Sequence, residues 1–260
     1  MAEADGAVHL AIEGPVASVT FDRPQARNAM TWAMYEALVA ICERLHSHPD
    51  VRVVRFRGAG GQAFVAGTDI AQFQPFRDGD DGVAYERRIE ACLQHLEALP
   101  MPTVAVLEGW AIGGGLAIAT TCDFRIASTG TQLGVPIART LGNCLSAPNV
   151  ARLVAALGRP RAERVLLLAD LVGAEEALAA GYLLQVVPPA QIDAAADQLC
   201  ERLASLAPVT QRVGKQMLNR LLHAAVPEAE DLVRACYGSA DFREGVAAFV
   251  EKRKAHWTGR

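Results

Sequence analysis

Two rhythms of apolar residues alternate along the first half of the chain. In "GPVASVTFDRP", Val16, Val19 and Phe21 alternate with smaller residues, which predicts a strand closed by Arg23-Pro24. Met34, Leu38, Ile41 and Leu45 then recur at helical spacing, with Thr31 as the cap and Pro49 as the stop. "VRVVRFRG" predicts the next strand, and the charged stretch "RDGDDGVAYERRIE" leads into a helix running to Leu99. "PTVAVLEG" is apolar throughout, as a strand buried on both faces must be, and "DFRIAS" is a fourth strand. Strands alternating with helices predict an α/β architecture with right-handed crossovers.

Beyond Leu157 the pattern turns helical. "RAERVLLLAD", "AEEALAAG" and three later amphipathic stretches read as helices, with one short apolar piece, "LLQVV", among them. The tail "FREGVAAFVEKRKAHW" sets Phe242, Val246, Phe249 and Val250 on one side of a helix. The expected division is an α/β core over residues 1–190 and a helical carboxyl-terminal region over 191–260.

Composition narrows the function classes. The 260 residues are 51% apolar and 21% charged, ordinary for a globular protein. A formal net charge of −4 gives no electrostatic footprint for nucleic acid, so no nucleic-acid partner is expected. No apolar run reaches the roughly 18 residues of a membrane span, and the amino terminus lacks a secretory pattern. A cytoplasmic protein with no membrane partner is the expectation. The six cysteines lack CxxC spacing and the six histidines are isolated, which predicts buried free thiols and no metal site.

Two glycine-rich stretches are candidate chemistry. "GAGGQA" from Gly58 fits a loose dinucleotide fingerprint, but it leads into "FVAGTDIAQF" rather than into a helix, which argues against that use. "WAIGGGLAIATTCD" is different: three glycines lie between an apolar strand and an apolar, small-residue segment. Such a run lets backbone N–H groups approach a ligand, and a helix beginning near Gly114 would present unsatisfied N–H groups to an oxygen gaining negative charge. A tight turn packed under a strand would use the same glycines. No G-x-S-x-G, H-E-x-x-H or P-loop occurs.

"FDRPQARNAM", "GQAFVAGTDI", "EGWAIGGGLAIATTCDFRIAS" and "FREGVAAFVEKRKAHW", in this order and at these separations, resemble the crotonase, or enoyl-CoA hydratase/isomerase, superfamily. The resemblance runs from about Val8 to Trp257. It implies a crotonase-like α/β spiral of ββα units, a carboxyl-terminal helical trimerisation region, and a homotrimer or homohexamer acting in fatty acid metabolism. It implies an acyl-CoA partner and no cofactor beyond the CoA moiety of the substrate. The N–H groups of Thr68 and Gly114 take the place of the family's oxyanion hole, the donors that hold the thioester oxygen. Gln25, Ala26, Arg27, Ala66, Asp69 and Ile70 match CoA contacts, with Lys252 reaching for the nucleotide.

The chain departs from the family at two positions. Hydratases of the family carry glutamates where this chain has Ala117 and Ile137, and neither side chain can move a proton. Hydration by the usual route is therefore not expected. "ARTLGNCLSAPN" also replaces the expected glycine-rich loop. Three readings follow. One is an enzyme with relocated chemistry, drawing on Arg139, Asn143, Cys144, Ser146, Thr68, Glu86 or Glu90, for which malonyl-type decarboxylation, double-bond isomerisation and thioester hydrolysis stay open. The others are a catalytically inactive acyl-CoA-binding protein and a scaffold or RNA-associated protein, the last without support from the acidic balance.

Overall fold

The computed structural model describes residues 6–260. Strands β1 (Ala7–Glu13) and β2 (Val16–Asp22) form an antiparallel hairpin turned at Gly14, whose φ is 57°. Helix α1 (Trp32–His46) follows, and its predicted cap is in place: the Thr31 hydroxyl accepts from the Met34 N–H at 3.3 Å. The chain then spirals. Each turn lays one strand in a large sheet, one in a small sheet, and then a helix.

The first such turn is β3 (Val53–Gly58), β4 (Ala63–Val65) and α2 (Gly79–Glu97). The second is β5 (Thr103–Leu107), β6 (Trp110–Ile112) and α3 (Gly114–Thr121). The third is β7 (Phe124–Ser128) and β8 (Gln132–Gly134), followed by the short helix α4 (Ile137–Thr140), then α5 (Ala147–Leu157) and α6 (Arg159–Leu167). A last turn adds β9 (Leu171–Gly173), α7 (Ala174–Ala179) and β10 (Gln185–Val187). The large sheet has the order β1-β2-β3-β5-β7-β10 and is parallel from β2 onward. The small sheet is β4-β6-β8-β9, with only β9 antiparallel. The expected α/β spiral of ββα units is the observed fold.

The apolar run of β5 after Thr103 is explained by its two faces. Val104 and Val106 face one way, with Val53 and Ile126, against Ile192, Ala195 and Cys200 of α8 (Ile192–Ala204). Ala105 and Leu107 face the other way, into the main core with Phe21, Phe56 and Leu38. Strands alternate side chains, so a strand covered on both sides keeps a polar residue only where it is hydrogen-bonded, as Thr103 is to Asp123 at 2.8 Å. Residue 190 therefore marks where strands end and not where the core ends. The next helix, α9 (Pro208–His223), is also tied in: the Lys215 ammonium donates to Asp123 at 2.8 Å and to the Met101 carbonyl at 3.3 Å.

The chain closes with α10 (Glu230–Tyr237) and α11 (Ala240–Val250). Helix α10 lies directly on α2, because a Cβ on Gly79 would run into the Arg234 carbonyl and one on Gly82 into the Tyr237 ring. All six cysteines are free thiols. Among the described residues no helix is long and apolar enough to cross a membrane, and no group of metal-ligating side chains forms. "GAGGQA" makes a turn between β3 and β4 and opens no helix.

Candidate functional site

The three consecutive glycines serve three different purposes. Gly113 has φ 55° and ψ −118°, a conformation closed to side-chain-bearing residues, and it turns β6 into α3. At Gly115 a Cβ would run into the Val65 carbonyl, so the new helix can press on β4 only without one. Gly114 opens the helix. A Cβ there would stand 2.7 Å from the Tyr35 hydroxyl, 3.3 Å from the Thr68 hydroxyl and 3.8 Å from the Thr68 nitrogen. The Thr68 loop is thus brought alongside the start of α3.

That loop is stitched on either side of Thr68. Met30 N–H donates to the Gly67 carbonyl at 2.8 Å, and Asp69 N–H donates to the Met30 carbonyl at 2.9 Å. Neither the Thr68 N–H nor the Gly114 N–H donates to an acceptor among the described residues. The Thr68 hydroxyl, by contrast, is fully engaged, 2.8 Å from both the Tyr35 and the Tyr85 phenol oxygens. Burial pushes both phenols well above their ordinary range, so they stay protonated.

Thr68 and Gly114 line a cavity of about 250 Å³ that also takes in Ala66, Ile70, Ala117, Ile137, Asn143 and Glu86. The rest of its wall is mostly apolar, with Tyr85, Thr140 and Asn149 as further polar residues, and Glu86 is its only ionisable carboxyl among the described residues. Glu86 comes from α2 and is 5% exposed. Its Oε1 accepts from the Tyr237 hydroxyl at 2.8 Å and its Oε2 accepts from the Ser146 N–H at 2.8 Å. Burial raises this carboxyl to about 7, against the pull of the Tyr237 and Ser146 bonds. Asn143 completes the cluster by donating Nδ2–H to the Tyr237 oxygen at 3.2 Å. A cage of Phe73, Phe76, Tyr85 and Phe242 rings fixes Tyr237.

The remaining sequence candidates separate. Ala66 and Ile70 line the cavity, while Gln25, Ala26 and Arg27 form the neighbouring turn, joined through the Ala66 N–H to the Arg27 carbonyl at 3.1 Å. Arg27 and Asn28 have φ of 51° and 59°, and the buried Asn28 amide holds this turn by bonds to the Ala59 and Ala63 carbonyls at 2.9 and 2.8 Å. Asp69 is engaged by Arg23 at 2.8 Å and caps the turn Ile70–Phe73. Lys252 is exposed beyond α11. Glu90 is paired with Arg152 through two bonds of 2.7 Å. Cys144 contributes its carbonyl, which accepts from Tyr237 at 3.4 Å. Arg139 lies apart: it is exposed and outside the cavity wall, because α4 directs Ile137 and Thr140 inward one turn apart and leaves Arg139 outside. Tyr35, Tyr85 and Tyr237 carry no local signal and reach the site through tertiary packing, while Phe249 comes from the apolar side of the tail helix.

A family model described as Enoyl-CoA hydratase/isomerase matches residues 11–260. The chain belongs to that family. Among relatives of the enoyl-CoA hydratase/isomerase family, the short-chain-enoyl-CoA hydratase of Clostridium acetobutylicum is 31% identical over 246 residues, 93% of this chain and 94% of that protein. The (E)-benzylidenesuccinyl-CoA hydratase of Thauera aromatica is 31% identical over 97% of this chain and 99% of that protein. In structure, a methylmalonyl-CoA decarboxylase in complex with 2-nitronate-propionyl-CoA superposes with a TM-score of 0.89 at 25% identity, covering 97% of this chain and 98% of that one.

Proposed function

We propose that this protein binds an acyl-CoA thioester, polarises its carbonyl at the N–H groups of Thr68 and Gly114, and moves a proton to and from the resulting enolate with Glu86. One observation carries the reading: two uncommitted backbone donors and a single buried carboxyl line the same cavity. As charge builds on the thioester oxygen, each N–H bond strengthens in a space from which water is excluded. Loss of one such donor costs about 10²–10³ in rate. Helix α3 adds the positive end of its dipole at Gly114.

With one acid–base group, the reaction supported best is a 1,3-proton shift in an unsaturated acyl-CoA. Glu86 takes a proton from the α-carbon of a 3-enoyl thioester and returns it at the γ-carbon, giving the conjugated 2-enoyl product. A carboxyl near 7 suits both halves of that exchange. Hydration needs a second group to activate water, and Ala117 and Ile137 offer none. Decarboxylation of a malonyl-type thioester is the second reading, favoured by the likeness to methylmalonyl-CoA decarboxylase. There Ala117 and Ile137 would strip water from the departing carboxylate, and Glu86 would only protonate the enolate.

Wild type and Glu86→Gln assayed on a 3-enoyl-CoA, a malonyl-type CoA and crotonyl-CoA distinguish these. Isomerisation by wild type, lowered by about 10²–10⁴ in Glu86→Gln, is expected. Release of CO₂ that survives in Glu86→Gln identifies the decarboxylase. Binding without turnover of any of the three identifies an acyl-CoA-binding protein, and rapid crotonyl-CoA hydration overturns the assignment of Ala117 and Ile137. Assembly into trimers is part of the same proposal, supported by Val209, Val213, Met217 and Leu221, which leave one face of α9 apolar and exposed. Light scattering measures it.

A further inference from the structure

Glu86 belongs to two cavities. Besides the candidate site it lines a second space of about 390 Å³, walled by Val83, Glu90, Ala91, Ser146, Ala147 and Val233 among others. Of all the residues lining the two, Glu86 alone is common to both. Its carboxyl is a partition between them, and its two oxygens are held from opposite sides. The Oε1 partner, Tyr237, is bonded to Asn143, which lines the first cavity; the Oε2 partner, Ser146, lines the second. The second cavity also carries charged side chains, the Arg87–Glu230 pair and Glu228, which keep it wet.

A substrate seated in the first cavity would cut Glu86 off from solvent on that side. We propose that Glu86 exchanges its proton with water through the second cavity while the first is filled, an inference resting on the reading of Glu86 as the proton carrier. The step makes and breaks only O–H bonds. Neutral Glu86 gives its proton from Oε2 to a water, forming hydronium, and after that proton has passed to neighbouring waters the carboxylate takes a different proton back from a hydronium, so no ion is left over. The enzyme can thereby discard a substrate-derived proton without releasing the substrate.

The test compares variants that fill one cavity or the other. Glu86 is labelled with a small water-soluble carbodiimide and an amine, and its modification is read by peptide mass mapping. Ala91→Leu/Ala147→Leu fills the second cavity and should lower labelling several-fold, whereas Ala117→Leu fills the first and should leave it. Undiminished labelling in the second-cavity variant overturns the proposal. Should the double variant fail to fold, Ala91→Leu alone, at an exposed helical position, carries the same test. Turnover of a 3-enoyl-CoA in D₂O gives a separate reading. Wild-type product should contain solvent deuterium, and the second-cavity variant should retain the substrate's own proton. A protein that labels as expected but isomerises nothing keeps the exchange route and loses the isomerase assignment.

Discussion

The phenol oxygen of Tyr237 stands 2.8 Å from Oε1 of Glu86, joining residues 151 positions apart. The bond favours the ionised carboxylate and so holds down a carboxyl that burial alone would raise further. Tyr237→Phe keeps the ring in its aromatic cage and removes this donor, together with the acceptor of Asn143. The acidic limb of the rate profile, governed on this reading by ionisation of Glu86, should move to higher pH, with turnover falling at neutral pH and recovering as pH rises. A purely structural Tyr237 would lower activity equally at every pH, which the measured profile would reveal.

Glu86 also makes stability depend on pH. Its carboxyl titrates near 7 in the folded protein against an ordinary value of 4.5, so between those values the folded chain holds more protons than the unfolded chain. Stability from this group is therefore greatest below about 4.5 and declines as pH rises to about 7, by about 3 kcal/mol in all. Glu86→Gln removes the dependence. Denaturant melts at pH 5 and pH 8 should show the variant gaining on wild type at the higher pH, and an unchanged difference would contradict the raised carboxyl.

The glycine run gives opposite outcomes at neighbouring positions. Gly115→Ala drives a methyl into the Val65 carbonyl, which is backbone and cannot turn aside, and should cost well above the usual 1–3 kcal/mol of overpacking. Gly114→Ala meets the Tyr35 hydroxyl at 2.7 Å, the far end of a side chain that can shift. It should fold, yet on the proposed reading lose turnover, because the added methyl crowds the Thr68 loop, 3.3 Å from its hydroxyl and 3.8 Å from its nitrogen. Melting temperature and activity measured on both variants separate the two effects.

What could be read in the sequence follows element length. Strands β2, β3, β5 and β7 run five to seven residues and show their periodicity, and α1 shows both its stripe and its cap. The small sheet was illegible: "AFV", "WAI", "QLG" and "LVG" are three residues each, too short for any rhythm, and are strands only because neighbours pair with them. The site divides likewise. Thr68 and Gly114 sit in local patterns that glycines announce, and Glu86 is one of two candidate carboxylates, with Glu90. That Tyr237 and Ser146 hold Glu86 depends on α10 settling onto the bare backbone at Gly79 and Gly82, a contact with no local trace.

Thr68→Val separates the backbone of that residue from its side chain. Valine keeps the shape and the N–H, but removes the oxygen that both Tyr35 and Tyr85 reach at 2.8 Å. Two buried phenols then lose their partner, at about 1–3 kcal/mol each, so the variant should melt well below wild type. Its folded fraction should still turn over within a few-fold of wild type, because the proposed donor to the thioester is the peptide N–H. If kcat instead collapses while the fold holds, the hydroxyl itself takes part in the chemistry, as acid or nucleophile, and the pairing of Thr68 with Gly114 as two backbone donors is wrong.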